Sequence, residues 1–533
     1  MESPQHHPNM VPFTFALQNK CELPDIARAK SYLSVHDELD EASGNNRFNT
    51  MVLCAAVLHG CSLNALKSYV QRYRGNEEEF SAIMRLVTPV LYCAIARNDR
   101  HMIDLLLEYG VDPTGSTGKN KIVPPIAFAV IHGHMHSIDT TEIVDIILSA
   151  GVYPKTIAKD MKRIARGLNL SQRYALFRAS LCPALTAREL QSAELHGVKK
   201  LIRLPHRIIG QITAVDLLPK YILEHTAASV DDPEPMVIVF AGPPGHGKTE
   251  LAQQLGALLG VKQDTVACSQ IEKDSELFGP KAGYHRSLEG STLNNLLAQN
   301  DGLCSVAFLD EFDKSSSDVC EALLTVMSEG KYIDRRTSKK VDCRKTIWIL
   351  ASNLGDEAIA KFYEKEMKHM KDSEKATTDL NPLIIQLRDM FKGSWGEPFE
   401  SRIEHVIPFF PFSPGEQAVV AHKFLRKDAR NARKDIDLRP EVKRMMGHCI
   451  ISYVEDGPLC AYMAERGYHR SSGARGVKRE AKKVMAAARK VYNNIPERVD
   501  ESLNDGPFEK LEVKLAPSGN NKHEVKVFRK LEG

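Results

Sequence analysis

Eight consecutive residues have types that suit polyphosphate chemistry: Gly242, Pro243, Pro244, Gly245, His246, Gly247, Lys248 and Thr249. Glycines let successive backbone N–H groups turn inward around a phosphate, and a helix that begins there adds a favourable dipole. Lys248 then reaches the β- and γ-phosphates of a nucleoside triphosphate, and the Thr249 hydroxyl binds Mg2+. With Glu250 these residues make up the expected nucleotide-contacting set. A second group is Asp310-Glu311, which follows Ser305-Val-Ala-Phe-Leu309. Asp310 suits the Mg2+ shell, and Glu311 suits orienting and polarising an attacking water. Phosphoryl transfer asks for positioning and charge neutralisation more than covalent chemistry. Two carboxylates beside Lys248 nearly complete that set. A carboxylate at 311, rather than an amide, favours hydrolysis over binding alone.

Both groups need strands to carry them. Met236-Val-Ile-Val-Phe-Ala241 is an apolar run of strand length ahead of the glycine loop, and Glu250 to Leu259 has the pattern of a following helix. Ser305 to Leu309 is a second buried strand. Strand, glycine loop and helix in that order predict an α/β nucleotide-binding core.

The chain has 533 residues, enough for two to four domains of about 100–200 residues each. Its composition is 43% hydrophobic and 26% charged, with a net charge of +3. That balance gives no reason to expect a nucleic-acid partner or an anionic membrane surface. Eleven cysteines, an odd number with no C-x-x-C pair, fit reduced thiols in an intracellular protein. No apolar run approaches the roughly 18–20 residues that cross a bilayer. The segment from Met1 to His7 lacks a basic region and the first arginine is Arg28, so the expected address is cytoplasmic, with the nucleus open.

The N-terminal part contains a weak repeat. Thr50-Met-Val-Leu-Cys-Ala-Ala56, Thr88-Pro-Val-Leu-Tyr-Cys-Ala94 and Pro124-Pro-Ile-Ala-Phe-Ala-Val130 align, with starts 38 and 36 residues apart. Two copies continue alike, Met102 to Pro113 and Ile143 to Pro154, each an apolar helix pattern ending in glycine (Gly110, Gly151). This resembles ankyrin repeats, with about three full repeats and a leading cap from Ala16 to Leu33. The period exceeds the usual ~33 residues, which implies enlarged loops such as Gly115 to Val123. A generic helical bundle fits the same pattern. Within it, His132-Gly-His134-Met-His136 reads as a polar hairpin or, alternatively, a metal cluster that lacks a partner at a recognisable spacing. The charged stretch Lys361 to Asp379 reads as a solvated insertion. Leu511 to Leu515 and Glu524 to Phe528 alternate about a turn, as a terminal β-hairpin does.

Several ordered segments go further: Arg207-Ile-Ile-Gly-Gln211, Leu309-Asp-Glu-Phe-Asp-Lys314 with Asp318-Val319 and Leu323-Leu324, Val341 to Gly355, Pro398 to Phe409, and Ser472 to Arg479. Together they resemble the Clp-type AAA+ ATPases, specifically the second ATPase module of ClpB-like disaggregases. The resemblance covers roughly residue 201 to the C-terminus. It implies an α/β fold: a three-layer AAA+ phosphate-loop core with a small C-terminal α/β domain, here preceded by an all-α ankyrin-like solenoid. The implied boundaries are 1–155 for the ankyrin-like region, 156–200 for a helical connector, 201–412 for the large ATPase domain and 413–533 for the small domain.

By the same resemblance Ile209 lies on the adenine side of ATP and Asn353 orients the lytic water. Arg402 acts as an arginine finger on a neighbouring subunit, and Arg475 reaches the phosphates from the small domain. An arginine acting in trans implies a homo-oligomeric ring, and the family suggests a hexamer. Tyr284 corresponds to the aromatic that grips polypeptide in the pore, although His285 and Arg286 replace its small apolar neighbours. An ankyrin-like region before one such module resembles ankyrin-containing ClpB homologues. The implied activity is an ATP- and Mg2+-dependent unfoldase or disaggregase that threads unfolded or aggregated clients, with the ankyrin-like region recruiting a further protein. The alternative is an ATP-dependent oligomeric switch or scaffold that recruits partners without threading.

Overall fold

The computed structural model describes residues 50–58, 60–72, 88–114, 123–152, 164, 167–182, 186–228, 234–280, 289–518 and 523–530. The chain divides between residues 182 and 183 into two compact units.

In the first unit, helices pair in sequence. They are α1 (Thr50–Leu58) with α2 (Leu63–Arg72), α3 (Thr88–Ala96) with α4 (Arg100–Glu108), and α5 (Pro125–Met135) with α6 (Thr141–Ser149), followed by α7 (Leu170–Leu181). The leading helices form one row, α1 on α3 and α3 on α5, and the trailing helices another, α2 on α4 and α4 on α6. The aligned apolar segments therefore bury against their own counterparts, and one core runs from Leu53 to Ala179. Gly110 and Gly151 end α4 and α6 with φ of +87° and +91°, a conformation that glycine adopts without a Cβ penalty. Asp99 caps α4 by accepting from the His101 and Met102 amides at 3.1 and 3.0 Å. His132 Nε2 lies 3.0 Å from Ala96 O, a link between repeats. Among the described residues no group of three or more His, Cys, Asp or Glu is arranged to hold a metal ion; His132 and His134 lie in the last turn of α5, not in the polar hairpin expected there. The segment 16–33, expected as a leading cap, and the residues of 115–122 lie outside the described residues.

The second unit is built on a five-stranded parallel sheet. Its strands are β1 (Met236–Ala241), β2 (Lys262–Ala267), β3 (Ser305–Asp310), β6 (Thr346–Ser352) and β7 (His405–Pro408), in the order β2-β3-β6-β1-β7. A short hairpin, β4 (Lys331–Ile333) and β5 (Lys340–Asp342), stands apart. Period-2 alternation sorts the apolar side chains onto two faces. Val237, Val239, Ala307, Leu309, Trp348 and Leu350 enter one core. Ile238, Phe240, Val306, Phe308, Ile347 and Ile349 enter the other. Helices cover both, giving an α/β architecture with three layers. The helices include α8 (Ala187–Leu195), α9 (Ile212–Ala228), α10 (Lys248–Leu259), α11 (Ser317–Glu329) and α12 (Asn381–Trp395). Among the described residues of 156–200, α7 belongs to the core of the first unit, whereas Ala193 and Val198 belong to the second.

The C-terminal part adds α13 (Pro414–Ala432), α14 (Asp456–Gly467) and α15 (Ala474–Asn493) beside a second sheet, β8 (Cys449–Tyr453), β9 (Glu509–Pro517) and β10 (His523–Arg529). β9 and β10 pair antiparallel, with Val513 opposite Val527. β8 runs parallel to β9; five residues gave too short a pattern to separate it from its helical surroundings. The charged stretch 361–379 is not simply solvated. Tyr363 and Met367, four residues apart, are buried with Lys375 around a small cavity shared with Gln211, Phe410 and Glu416. Two apolar residues one turn apart suffice to anchor an otherwise charged segment.

Candidate active site

The parallel sheet brings its loops to one end. β6 lies between β1 and β3, so the loop after Ala241, Asn353 after Ser352, and Asp310-Glu311 at the end of β3 emerge side by side. The strand order changes direction at β1, and ligands of such sheets bind at the carboxyl ends beside that point. The Gly242 amide donates to Ser352 O at 3.1 Å, joining the loop to β6. Gly245 and Gly247 hold φ of +76° and +100°. A side chain at 245 would collide with the backbone of Ser472. α10 starts at Lys248, so its first amides point into the loop without partners of their own turn.

Lys248 is only 8% exposed. Its ammonium donates to Gly242 O, to Pro243 O at 3.1 Å and to Asn353 Oδ1 at 2.9 Å. Burial lowers its pKa to about 8, while Asp313 and Asp310 pull it upward. Thr249 Oγ1 stands 3.4 Å from Asp310 Oδ2. A hydroxyl and a carboxylate side by side, next to unpartnered amides and a buried cation, are hard donors that fit Mg2+ and an anionic triphosphate. Glu250 is drawn to Lys423 of α13 at 3.0 Å.

Glu311 has φ of +54°, an uncommon conformation for a non-glycine residue that turns its side chain out of the strand. Its carboxylate accepts from Lys314 at 2.9 Å. That bond, then one to Ser269, lowers its pKa. Arg475, in the first turn of α15, is close enough for its charge to act on Lys248, Glu311 and Lys314. Ile209 is half-buried in the segment leading to Gln211. Gln211 donates to His246 O at 3.1 Å and to Phe410 O at 2.8 Å.

Arg402 is not in this group. β7 runs parallel to β1 with Ile238 opposite His405, so Arg402 stands at the level of residue 235, where the strands begin. At about 3.3 Å per residue, the run from 235 to Gly242 spans about 23 Å, beyond the reach of an arginine. Its exposed side chain lines a cavity of about 580 Å3 with His225, Glu234, Glu404 and His405. Tyr284 lies outside the described residues.

Four residues with a place in the site had no role in the sequence reading. Asp313 accepts the Asn353 amide at 3.0 Å and acts on Lys248, and Lys314 pairs with Glu311. Both lie inside the acidic segment, where spacing alone did not separate them from it. Ser269 and Tyr468 belong to no recognisable pattern; only the fold brings them in.

Residues 234–386 match the family described as AAA domain (Cdc48 subfamily). The chaperone protein ClpB of Chlamydia caviae is 28% identical over 283 residues, a match covering 52% of this chain and 30% of that protein. ClpB of Lactiplantibacillus plantarum is 29% identical over 287 residues, covering 52% and 30%. The chain thus spans about 30% of the length of the curated relatives it matches. A solved chain described as a closed-state reconstruction of Hsp104 with ATPγS and FITC casein has a TM-score of 0.46 at 17% identity, covering 92% of this chain and 72% of that one. Residues 234–386 thus match the AAA domain family, and the stretch of chain around the glycine loop is similar to ClpB.

Proposed function

We propose that the protein is an ATP-hydrolysing remodelling machine that threads polypeptide through an oligomeric ring, a hexamer by analogy. The observation that carries this reading is the meeting of Lys248, Thr249, Asp310 and Asn353 at one end of the sheet. Lys248 and Arg475 neutralise phosphate charge, and Ile209 lies against the adenine. Thr249 and Asp310 hold Mg2+, which when bound neutralises the charge that develops on the phosphates. Glu311 orients water once it leaves Lys314, and Asn353 assists it from the next strand. Arg402, out of reach of its own loop, completes the site of a neighbouring copy, where such an arginine lowers the barrier as phosphoryl charge develops.

The proposed domain limits are those of the sequence reading, 1–155 ankyrin-like, 156–200 connector, 201–412 large domain and 413–533 small domain, with α7 of the connector packed into the core of the first unit and Ala193 and Val198 into that of the second. The ankyrin-like region recruits a protein partner, and Tyr284 grips the client. Among the described residues no helix is long and apolar enough to cross a membrane, and we place the protein in the cytoplasm. The test measures ATP turnover, unfolding of an aggregated model client with and without Tyr284→Ala, and solution mass by light scattering with and without ATP. Client remodelling that depends on Tyr284, in a particle whose mass is a multiple of the chain, supports the reading; a monomer that neither hydrolyses ATP nor remodels the client refutes it. A second reading, an ATP-dependent switch or scaffold, draws on His285 and Arg286 beside Tyr284. Turnover without remodelling would favour it.

A further inference from the structure

We propose that His246 is a positioning residue that ties the glycine loop to the start of α15, so that nucleotide in the loop fixes the reach of Arg475. The inference rests on the ATPase reading above. The His246 side chain is buried, and both ring nitrogens are engaged. Nδ1 lies 2.9 Å from Pro244 O, and Nε2 lies 2.8 Å from the Tyr468 hydroxyl. A carbonyl only accepts, so Nδ1 carries the hydrogen and Nε2 accepts from Tyr468. The same hydroxyl accepts the Phe412 amide at 3.1 Å. Every bond in the chain from Phe412 through Tyr468 and His246 to Pro244 therefore has one direction. The imidazole also stacks on Phe412, with ring centroids 5.2 Å apart. Burial lowers its pKa to about 4, so the neutral ring this chain needs is the form present at neutral pH.

A second, backbone grip runs alongside. Ala474 N donates to Gly245 O at 2.9 Å, and Gly245 and Gly473 approach too closely for a Cβ on either. The turn from Tyr468 to Ala474 thus holds the loop at two adjacent carbonyls, those of Pro244 and Gly245, and Arg475 follows at once. A shift of those two peptides as phosphates enter moves the turn and, with it, the arginine. An apolar side chain at 246 would fill the same space without a directed link to Tyr468.

The test uses the full chain. Tyr468→Phe removes one hydroxyl and keeps the ring. His246→Gln places an amide near the Nε2 position, where it still accepts from Tyr468, whereas His246→Asn reproduces only the Nδ1 side. Loss of the link lowers kcat about fivefold in Tyr468→Phe and in His246→Asn, the worth of one neutral hydrogen bond. KM for ATP changes by less than about twofold, because the lost interaction serves the transition state. His246→Gln loses less than His246→Asn, and adding Tyr468→Phe to His246→Asn costs nothing further. Thermal melting of each variant guards against misfolding, and Tyr468→Phe is the most conservative. Wild-type kcat in Tyr468→Phe, equal losses in Gln and Asn, or a loss confined to KM overturns the link while leaving the ATPase reading intact. Absence of turnover in the wild-type chain overturns both.

Discussion

Lys248 permits a prediction independent of turnover. Burial lowers its pKa from 10.5 to about 8 in the folded chain. At about 1.4 kcal/mol per pH unit, the charged form is about 3 kcal/mol less favourable there than in the unfolded chain. The sign follows from proton counting. Between pH 8 and 10.5 the unfolded chain holds this proton and the folded chain has released it, so the contribution to stability rises with pH across that window. From pH 7 to pH 9.5 the rise is about 2 kcal/mol. Lys248→Met keeps the apolar stem but lacks the titration, so its stability should not show this component. Both tryptophans, Trp348 and Trp395, belong to the second unit, so fluorescence-monitored urea unfolding reports on that unit. The quantity to compare is the change from pH 7 to 9.5 in wild type minus that in Lys248→Met. Nucleotide binding restores the proton, so ATP affinity should fall toward tenfold per pH unit above about 8, with proton uptake visible by calorimetry in buffers of different ionisation enthalpy. Identical pH responses in wild type and Lys248→Met would refute the picture of a buried ammonium awaiting phosphate.

Glu311→Gln should bind ATP with near wild-type affinity while phosphate release falls by at least about a hundredfold; undiminished release would remove Glu311 from the reaction. Arg402→Ala should lose about a thousandfold in turnover, and mixing it with Glu311→Gln should restore part of it, because only a site shared between copies can combine an intact Glu311 with an intact Arg402. No recovery on mixing, in an assembly shown by light scattering to contain both chains, would count against action in trans. In the hairpin β4–β5, burial pushes Asp334 up, but bonds from Arg336, Asn294 and Thr337 outweigh it and hold the carboxyl well below the usual range. Asp334→Ala should therefore cost about 3 kcal/mol in denaturant unfolding at neutral pH. The gap to wild type should narrow as acid protonates Asp334, and an unchanged gap would contradict the network.

Much of the core was legible because its signals are local. Met236 to Ala241 form the strand that their apolar run predicted, and β3 extends one residue further, to Asp310. The helix after the loop begins at Lys248, two residues earlier than expected, since glycine at its N-cap leaves no side-chain signal for the boundary. Pairs separated by long stretches of chain were not legible. Ser269 beside Glu311, Tyr468 beside His246 and Asp313 beneath Asn353 are neighbours only because β3, β6 and the C-terminal helices converge. Tyr363 and Met367 were hidden because the charges around them dominate any average over the segment. The helix pairs of the first unit followed the repeat. Their likeness to ankyrin repeats rests on sequence pattern and pairing.

Arg402 stands about 23 Å along the sheet from the only phosphates its own loop can hold. On the proposed reading a solitary copy is an incomplete catalyst, and dilution alone becomes an off switch that needs no inhibitor. Cellular abundance then sets output per molecule as well as total capacity. A copy damaged at this arginine would also silence the intact partner beside it.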